Sequence, residues 1–480
     1  MLTGIVTFVS VVLMGQQNNT FYLMHDVPQS NLLNPAVQIR CKWYVGFPGL
    51  ASGHLSYSNT AFTYNDLAGS DTWNLEGVFN QMHRVDLYSS EAYLHPISIG
   101  YRRNSYYFNF NIAENAHFFQ TVPKDLAEIA LYGNGPFAGE TARFNALRPA
   151  GHYYREYSAG VSKVLNQSWT LGVRANLIFG KANIHTDHSD IDFNTEENSF
   201  NLLLQTDYTL SSSFPLTIEQ DADGNISDII INEINYSQLL LNRGNPGFSM
   251  DLGFIYRFDE KTTLSASLLD LGFTRWRTDL NNVRTTGAFI FEAVDQSTDV
   301  VSFDYLNELV DSIINSMDVF VSQLPYSSFL PPQLYLGGTY QVRENLKVGV
   351  VNRNVILRSK IHSSFTLLAQ ANLADRFLTT LSWSYLNNSI LNIGTGIAYH
   401  GQGFQFHLVT DNLLGFFNPF NTRTINLRAG FNVMFGCSGD KKDTTGSYGA
   451  RPRGGDCSWT GKPKNREKLL KKAARDQTRR

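Results

Sequence analysis

Charge is what this 480-residue chain is short of. Asp, Glu, Lys and Arg make up 17% of it, against about 25% in an ordinary soluble domain. Long apolar runs are missing as well. Mean hydropathy is -0.21, and the one long run, residues 2–14, falls short of the roughly 20 residues a membrane-spanning helix needs. That excludes a bundle of membrane helices. Cysteine is scarce (Cys41, Cys437 and Cys457), and no compact Cys/His spacing accompanies it, so a zinc fold is excluded too. No Walker loop, H-E-x-x-H or G-x-S-x-G elbow occurs.

What the chain has instead is aromatic residues (33 Phe, 23 Tyr, 6 Trp), 37 glycines and strict alternation. Trp169, Leu171, Val173, Ala175, Leu177 and Phe179 interleave with Thr170, Gly172, Arg174 and Asn176. Phe248, Met250, Leu252, Phe254, Tyr256 and Phe258 alternate with Ser249, Asp251, Gly253 and Arg257. Near the C-terminus, Phe404, Phe406 and Leu408 flank Gln405 and His407, and Ile425 to Phe435 alternate with Asn426, Arg428, Gly430 and Asn432. Successive strand side chains point to opposite faces, so each segment carries one greasy face and one polar or small face. Runs of ten residues or more, with Arg, Asp and His mid-strand, fit tilted membrane strands better than a soluble sandwich. Lipid offers an open sheet edge no hydrogen-bond partner, so such a sheet closes. The fold class is therefore all-β, a transmembrane antiparallel β-barrel with short helical inserts.

Fifteen segments alternate in this way, the first near 49–60, with 284–293 as a further candidate. An even count brings both chain ends to the periplasmic side, so fourteen or sixteen strands are expected. The polar phase points Arg174, Asp251, Arg257, Lys347, His400, His407 and Arg428 into the lumen. Ser382 and Ser384 lie near His400 and His407, but short polar residues in a wet lumen need no catalytic reading. Asp221 to Asp228 has Gly fourth rather than sixth, which fits a hairpin turn better than a calcium loop. Neither a metal nor a cofactor is expected. Residues 123–132 read as a short helix, and 303–317 as an amphipathic helix packed against the barrel.

The chain ends differ in character. Residues 1–15 have the length and polar boundary of a secretory signal peptide, cleaved before Gln16. Residues 440–480 hold 13 basic and 5 acidic side chains, a tail for anionic lipid or an acidic protein. Secretion removes nucleic acid as its partner. In a closed barrel Cys41 and Cys437 are neighbours, so a bond between them is geometrically available. Cys437–Cys457 would instead tie the tail to the rim, and spacing does not choose between them.

The stretches HDVPQSNLLNPA (25–36), KWYVGFPGL (42–50), SYSNTAF (56–62) and the hairpin 245–276 resemble an uncharacterised group of Bacteroidota outer-membrane barrels. That group is similar to the long-chain fatty-acid transporter type and to the PorV and PorP-like proteins of type IX secretion. The resemblance implies fourteen strands, with Asn34, Pro35 and Ala36 in an inner plug or latch. The expected organisation is a plug segment at 16–48, a barrel at 49–437 and a periplasmic tail at 438–480. The expected function is non-enzymatic: an accessory subunit of a secretion or assembly complex, with a channel for hydrophobic or small solutes as the alternative. Outer-membrane lipid, membrane or periplasmic proteins and a hydrophobic ligand are the expected partners.

Overall fold

A computed structural model describes residues 18–67, 74–199, 201–220, 226–291, 318–358, 360–373, 376–401 and 403–437. The signal-peptide segment, the proposed helix 303–317, the turn 221–225, Cys457 and the basic tail lie outside the described residues.

The sheet opens with β1 (Cys41–Gly46) and β2 (Ser52–Asn59), followed by β3 (Val85–Arg103) and β4 (Tyr106–Pro123). Next come β5 (Thr141–Arg143), β6 (Arg148–Val164), β7 (Trp169–Thr195) and β8 (Leu202–Ser213). The hairpin β9 (Leu216–Gln220) and β10 (Ile226–Ile231) precedes β11 (Asn245–Arg257), β12 (Thr262–Trp276) and β13 (Leu280–Phe291). Two short strands follow, β14 (Asp318–Ser322) and β15 (Tyr326–Phe329). The rest are β16 (Gln333–Arg343), β17 (Leu346–Ile356), β18 (Ile361–Leu373), β19 (Phe377–Leu386), β20 (Ser389–His400), β21 (Phe404–Thr410) and β22 (Thr424–Cys437).

These strands make a closed, antiparallel, 14-stranded barrel. β1 and β2 act as one broken wall strand, because both pair with β22 on one side and β3 on the other. Pairing with β22 starts at Cys41, ahead of the boundary expected near residue 49. Two segments read as wall strands extend outward instead. The distal half of β7 leaves β11 and pairs with β8, β8 pairs with β13, and β13 with β14. Both β8 and β13 are genuine strands, paired on two edges, but strand character does not report membership of the closed ring. The pair of strands flanking 221–225 forms the expected hairpin, β9 with β10, and the helix at 124–132 is present.

Turn chemistry fixes the register. Asn387 and Asn388, between β19 and β20, have φ of 51° and 55°, the left-handed pair that a two-residue hairpin turn requires. The chain ends of the barrel, Cys41 and Cys437, lie opposite one another in the β1–β22 register and are joined by a disulfide. The end of the barrel carrying them is called proximal below.

The outer face carries Phe108, Phe254, Leu367, Leu381, Trp383 and Phe406, all exposed. The inner phase holds Ser, Thr, Asn, Gln and His. No helix among the described residues is long and apolar enough to cross a membrane; the strands cross it. Together these features define an outer-membrane barrel. Leu381→Arg, on the outward face of β19, should destabilise the barrel by about 2–4 kcal/mol if the site is at mid-bilayer. Unfolding into urea from lipid vesicles measures it, with Ser382→Arg on the other face as the contrasting case.

Candidate functional site: an interrupted ladder beside a plugged lumen

The lumen is filled from the N-terminal side. Phe21, Tyr22, Leu23, Met24 and Val27 are buried against Leu269, Tyr335, Val351, Leu368 and Val409 from the wall. Polar anchors fix the segment. Asn19 donates to Ser364 and Thr366 at 2.9 and 3.0 Å, and Thr20 N donates to Asp411 at 2.7 Å. Asn34 reaches the Phe254 and Ala266 carbonyls, each at 3.3 Å. Two glycines allow the contact: a Cβ on Gly172 would sit 2.2 Å from Pro35, and one on Gly253 2.4 Å from Asn34 Oδ1. Asn34, Pro35 and Ala36 are thus pressed onto β7 and β11.

The lumen residues read from the sequence fall into three places. Arg174 and Asp251 form a buried pair, Nε to Oδ2 at 2.7 Å, and Arg174 also donates to the Asn31 and Leu32 carbonyls at 3.1 and 2.7 Å. Arg428 donates to Asn18 Oδ1 at 2.8 Å and Ser52 Oγ at 3.1 Å, with its guanidinium over Phe21. His407 stacks on Phe21. Lys347 and His400 gather at the proximal mouth around Asp26, which pairs with Arg40 at 3.5 Å. Arg257 binds the Gln167 carbonyl at the rim. Ser382 bonds Thr20 and Ser384 bonds Thr366, so neither serine is used by a histidine. Among the described residues no group of His, Cys, Asp or Glu could hold a metal ion.

The distal mouth is crossed by side chains. Arg358, between β17 and β18, donates to the Thr186 carbonyl of β7 at 3.2 Å, and Lys360 to the Val85 carbonyl of β3 at 3.0 Å. Burial lowers the Lys360 ammonium pKa below its ordinary value, with Asp86 partly opposing the shift. Arg423 closes the other side onto Gln81 at 2.9 Å.

The ladder of the wall is interrupted between β2 and β3. Gly53 to Ser58 pair with β22 residue by residue. On the other edge β2 meets β3 only at Ser52↔His95 and Asn59↔Tyr88. Local chemistry explains the Ser52↔His95 end. The Phe47–Leu50 turn separates β1 from β2, with Gly49 at φ 81° donating to the Pro96 carbonyl at 3.0 Å. Pro96 has no N–H to give and lies where the β3–β4 register shifts, between Leu94 and Ile97. Behind the break His54 stacks on Tyr93, centroids 5.8 Å apart and 12° from parallel. Tyr93 donates to Glu91, and the Ser58 and Ser89 hydroxyls meet at 2.9 Å. In front lies a cleft of about 530 Å³, lined by Leu55, Leu94, Phe406 and Phe431, with His54 and Tyr93 on its floor.

Inside, a network of buried polar side chains runs away from the break. Asp251 accepts from the Asp270 amide at 2.8 Å, Gln333 donates to Asp270 at 2.9 Å, and Arg353 donates to Gln333 at 2.8 Å and lies over Tyr335. His117 and His152 face one another at 4.9 Å. None of His54, Glu91, Tyr93, Asp270 or Arg353 was singled out from the sequence. The usable signals were Pro48–Gly49 and Pro96, strand-breaking residues inside alternating segments.

The profile of a family of unknown function, DUF5723, matches residues 35–411, and the chain belongs to that family. No curated protein matches the chain. Among solved structures, the Ralstonia pickettii toluene transporter TbuX is similar at 10% identity and a TM-score of 0.40, over 85% of this chain and 94% of that one. The Pseudomonas putida toluene transporter TodX shows 12% identity and 0.35, over 84% and 92%. A Pseudomonas aeruginosa FadL homologue shows 9% and 0.35, over 86% and 94%. Likenesses this distant carry no argument about what this barrel handles.

Arg174 ties plug to wall, so Arg174→Ala should destabilise the barrel by about 3–5 kcal/mol, since it leaves Asp251 buried and unpaired. Denaturant unfolding measures it. Limited proteolysis should then cut within residues 18–40 before the wall opens.

Proposed function

We propose that this protein passes small hydrophobic or amphiphilic molecules between its polar interior and the membrane, sideways through the break between β2 and β3. The observation that carries this reading is the unladdered stretch Gly53–Ser58, faced by an apolar cleft outside and by His54, Tyr93 and Glu91 inside. Plug residues fill the axial path on one side and cross-mouth hydrogen bonds span the other. A molecule that leaves through the wall bypasses both. Greasy solutes gain from that route because apolar surface passes directly into lipid rather than into water.

The even strand number and the signal-like leader favour a barrel with both termini in the periplasm. In this reading residues 16–40 are a plug, residues 1–15 are removed on export and 438–480 form a periplasmic tail. The accessory-subunit reading draws its support from that basic tail, the amphipathic helix pattern at 303–317 and the PorV likeness. The tail and the helix lie outside the described residues, whereas the wall break favours transport.

The test closes the break covalently. Ser58→Cys with Ser89→Cys, whose native hydroxyls are 2.9 Å apart, should cross-link under oxidation and abolish uptake of a hydrophobic dye into vesicles. The single-cysteine variants, treated identically, should keep it. Undiminished uptake in the cross-linked protein overturns the lateral route.

A further inference from the structure

One pair of charges stands on the lipid-facing side of the wall. The outward face of β4 reads Tyr106, Phe108, Phe110, Ile112, Glu114, Ala116, Phe118, and Phe110 and Phe118 are both exposed. Glu114 lies opposite Arg155 of β6 in the register, and the two form an ion pair with side chains about one-fifth exposed. Next to it β7 carries an extra residue: Tyr154 pairs with Gly180 and Tyr153 with Ala182, leaving Lys181 in the bulge. The Lys181 ammonium donates to the Asn242 carbonyl. Charge on the lipid face of a barrel is costly unless something polar covers it. Glu114 Oε1 takes the Arg155 guanidinium, and the Tyr153 hydroxyl is the other polar neighbour of the carboxylate, which leaves Oε2 room to accept a further donor.

Two apolar depressions meet beside Glu114, at Leu55, Ala92, Ala116 and Tyr153. One is the cleft over the wall break, which Glu114 itself lines. The other is a trough of about 630 Å³ that shares Leu55, Ala92, Ala116 and Tyr153 with it and runs across Gly151 and Ala182 toward the β9–β10 hairpin. Small residues on adjacent strands keep its floor low. From β3 to β8 it crosses four interstrand spacings of roughly 4.8 Å each, or about 20 Å, the reach of an extended long acyl chain.

We infer that this outer surface binds one glycerophospholipid with a phosphoethanolamine head. Its two acyl chains lie one in the cleft and one in the trough. Arg155 and Lys181 hold the phosphate, and Glu114 Oε2 accepts from the ammonium. Charge complementarity selects that head: two cations and one carboxylate match a phosphate carrying its own ammonium better than a head with no cation. The chain in the cleft lies over His54 and Tyr93, so the bound lipid covers the wall break. This inference does not rest on the transport reading, because the experiment reads bound lipid and not flux.

The test is native mass spectrometry of the full chain released from detergent, with phosphatidylethanolamine or phosphatidylglycerol added. Wild type should retain one phosphatidylethanolamine, at least about tenfold more strongly than phosphatidylglycerol. Glu114→Gln should erase that preference while keeping a phospholipid, and Lys181→Gln should weaken both lipids. Ala116→Trp fills the trough without touching a charge and should remove the adduct. Arg155→Gln leaves a carboxylate unpaired, so Glu114→Gln/Arg155→Gln provides the folded control and should bind neither lipid. Equal retention of the two lipids by wild type, or an adduct that survives Ala116→Trp, overturns the inference.

Discussion

A backbone inside hydrocarbon must satisfy its own hydrogen bonds, and every other feature of this barrel follows from how that condition is met or broken. Fourteen antiparallel strands close the sheet into a ring. Closure joins the first strand to the last, and that seam, unlike a hairpin, brings together parts of the chain far apart in sequence. The Cys41–Cys437 bond sits at its proximal end, where Cys41 and Cys437 are already register partners. Cross-linking so remote a pair removes conformations chiefly from the unfolded chain.

The interior obeys a second form of the same rule. Buried charge is tolerated where each ion has a counter-charge or several hydrogen bonds. Arg174 meets that condition by joining Asp251 and two plug carbonyls, so one guanidinium both neutralises a carboxylate and fixes the plug. Arg428 ties plug to wall by hydrogen bonds alone, between Asn18 at the start of the plug and Ser52 at the start of β2. The plug is therefore part of the wall's electrostatics and not a separate stopper. Removing it would strip hydrogen bonds from Arg174, Arg428 and Asp411 at once.

Much of this was legible in the sequence, for a definite reason. Period-two alternation depends only on which face meets lipid, so Arg174, Asp251, His407 and Arg428 could be assigned to the lumen phase from the strand pattern. The ring count was harder. β8 and β13 are laddered on both edges as wall strands are, yet they build the distal extension that branches from β7. The break between β2 and β3 was hidden for the opposite reason: His54 and Tyr93 occupy ordinary inward positions, and only the loss of partners across the strand gives them a role. Pairing across Pro96 is a tertiary fact, and proline in a strand signals an interruption without saying which edge opens.

That interruption is also where the membrane argument turns into a functional one. The edge of β2 facing β3 carries N–H and C=O groups that the ladder does not use from Gly53 to Ser58. Left in lipid, each would cost several kcal/mol. The inward side chains there are polar, Ser56, Ser58 and Glu91, and Ser56 Oγ and Glu91 Oε1 have no hydrogen-bond partner among the described residues. A polar strand edge within one side-chain layer of lipid, under a stacked pair of rings, is costly for a barrel that only has to stand in a membrane. It is what a barrel needs if molecules are to leave through its side.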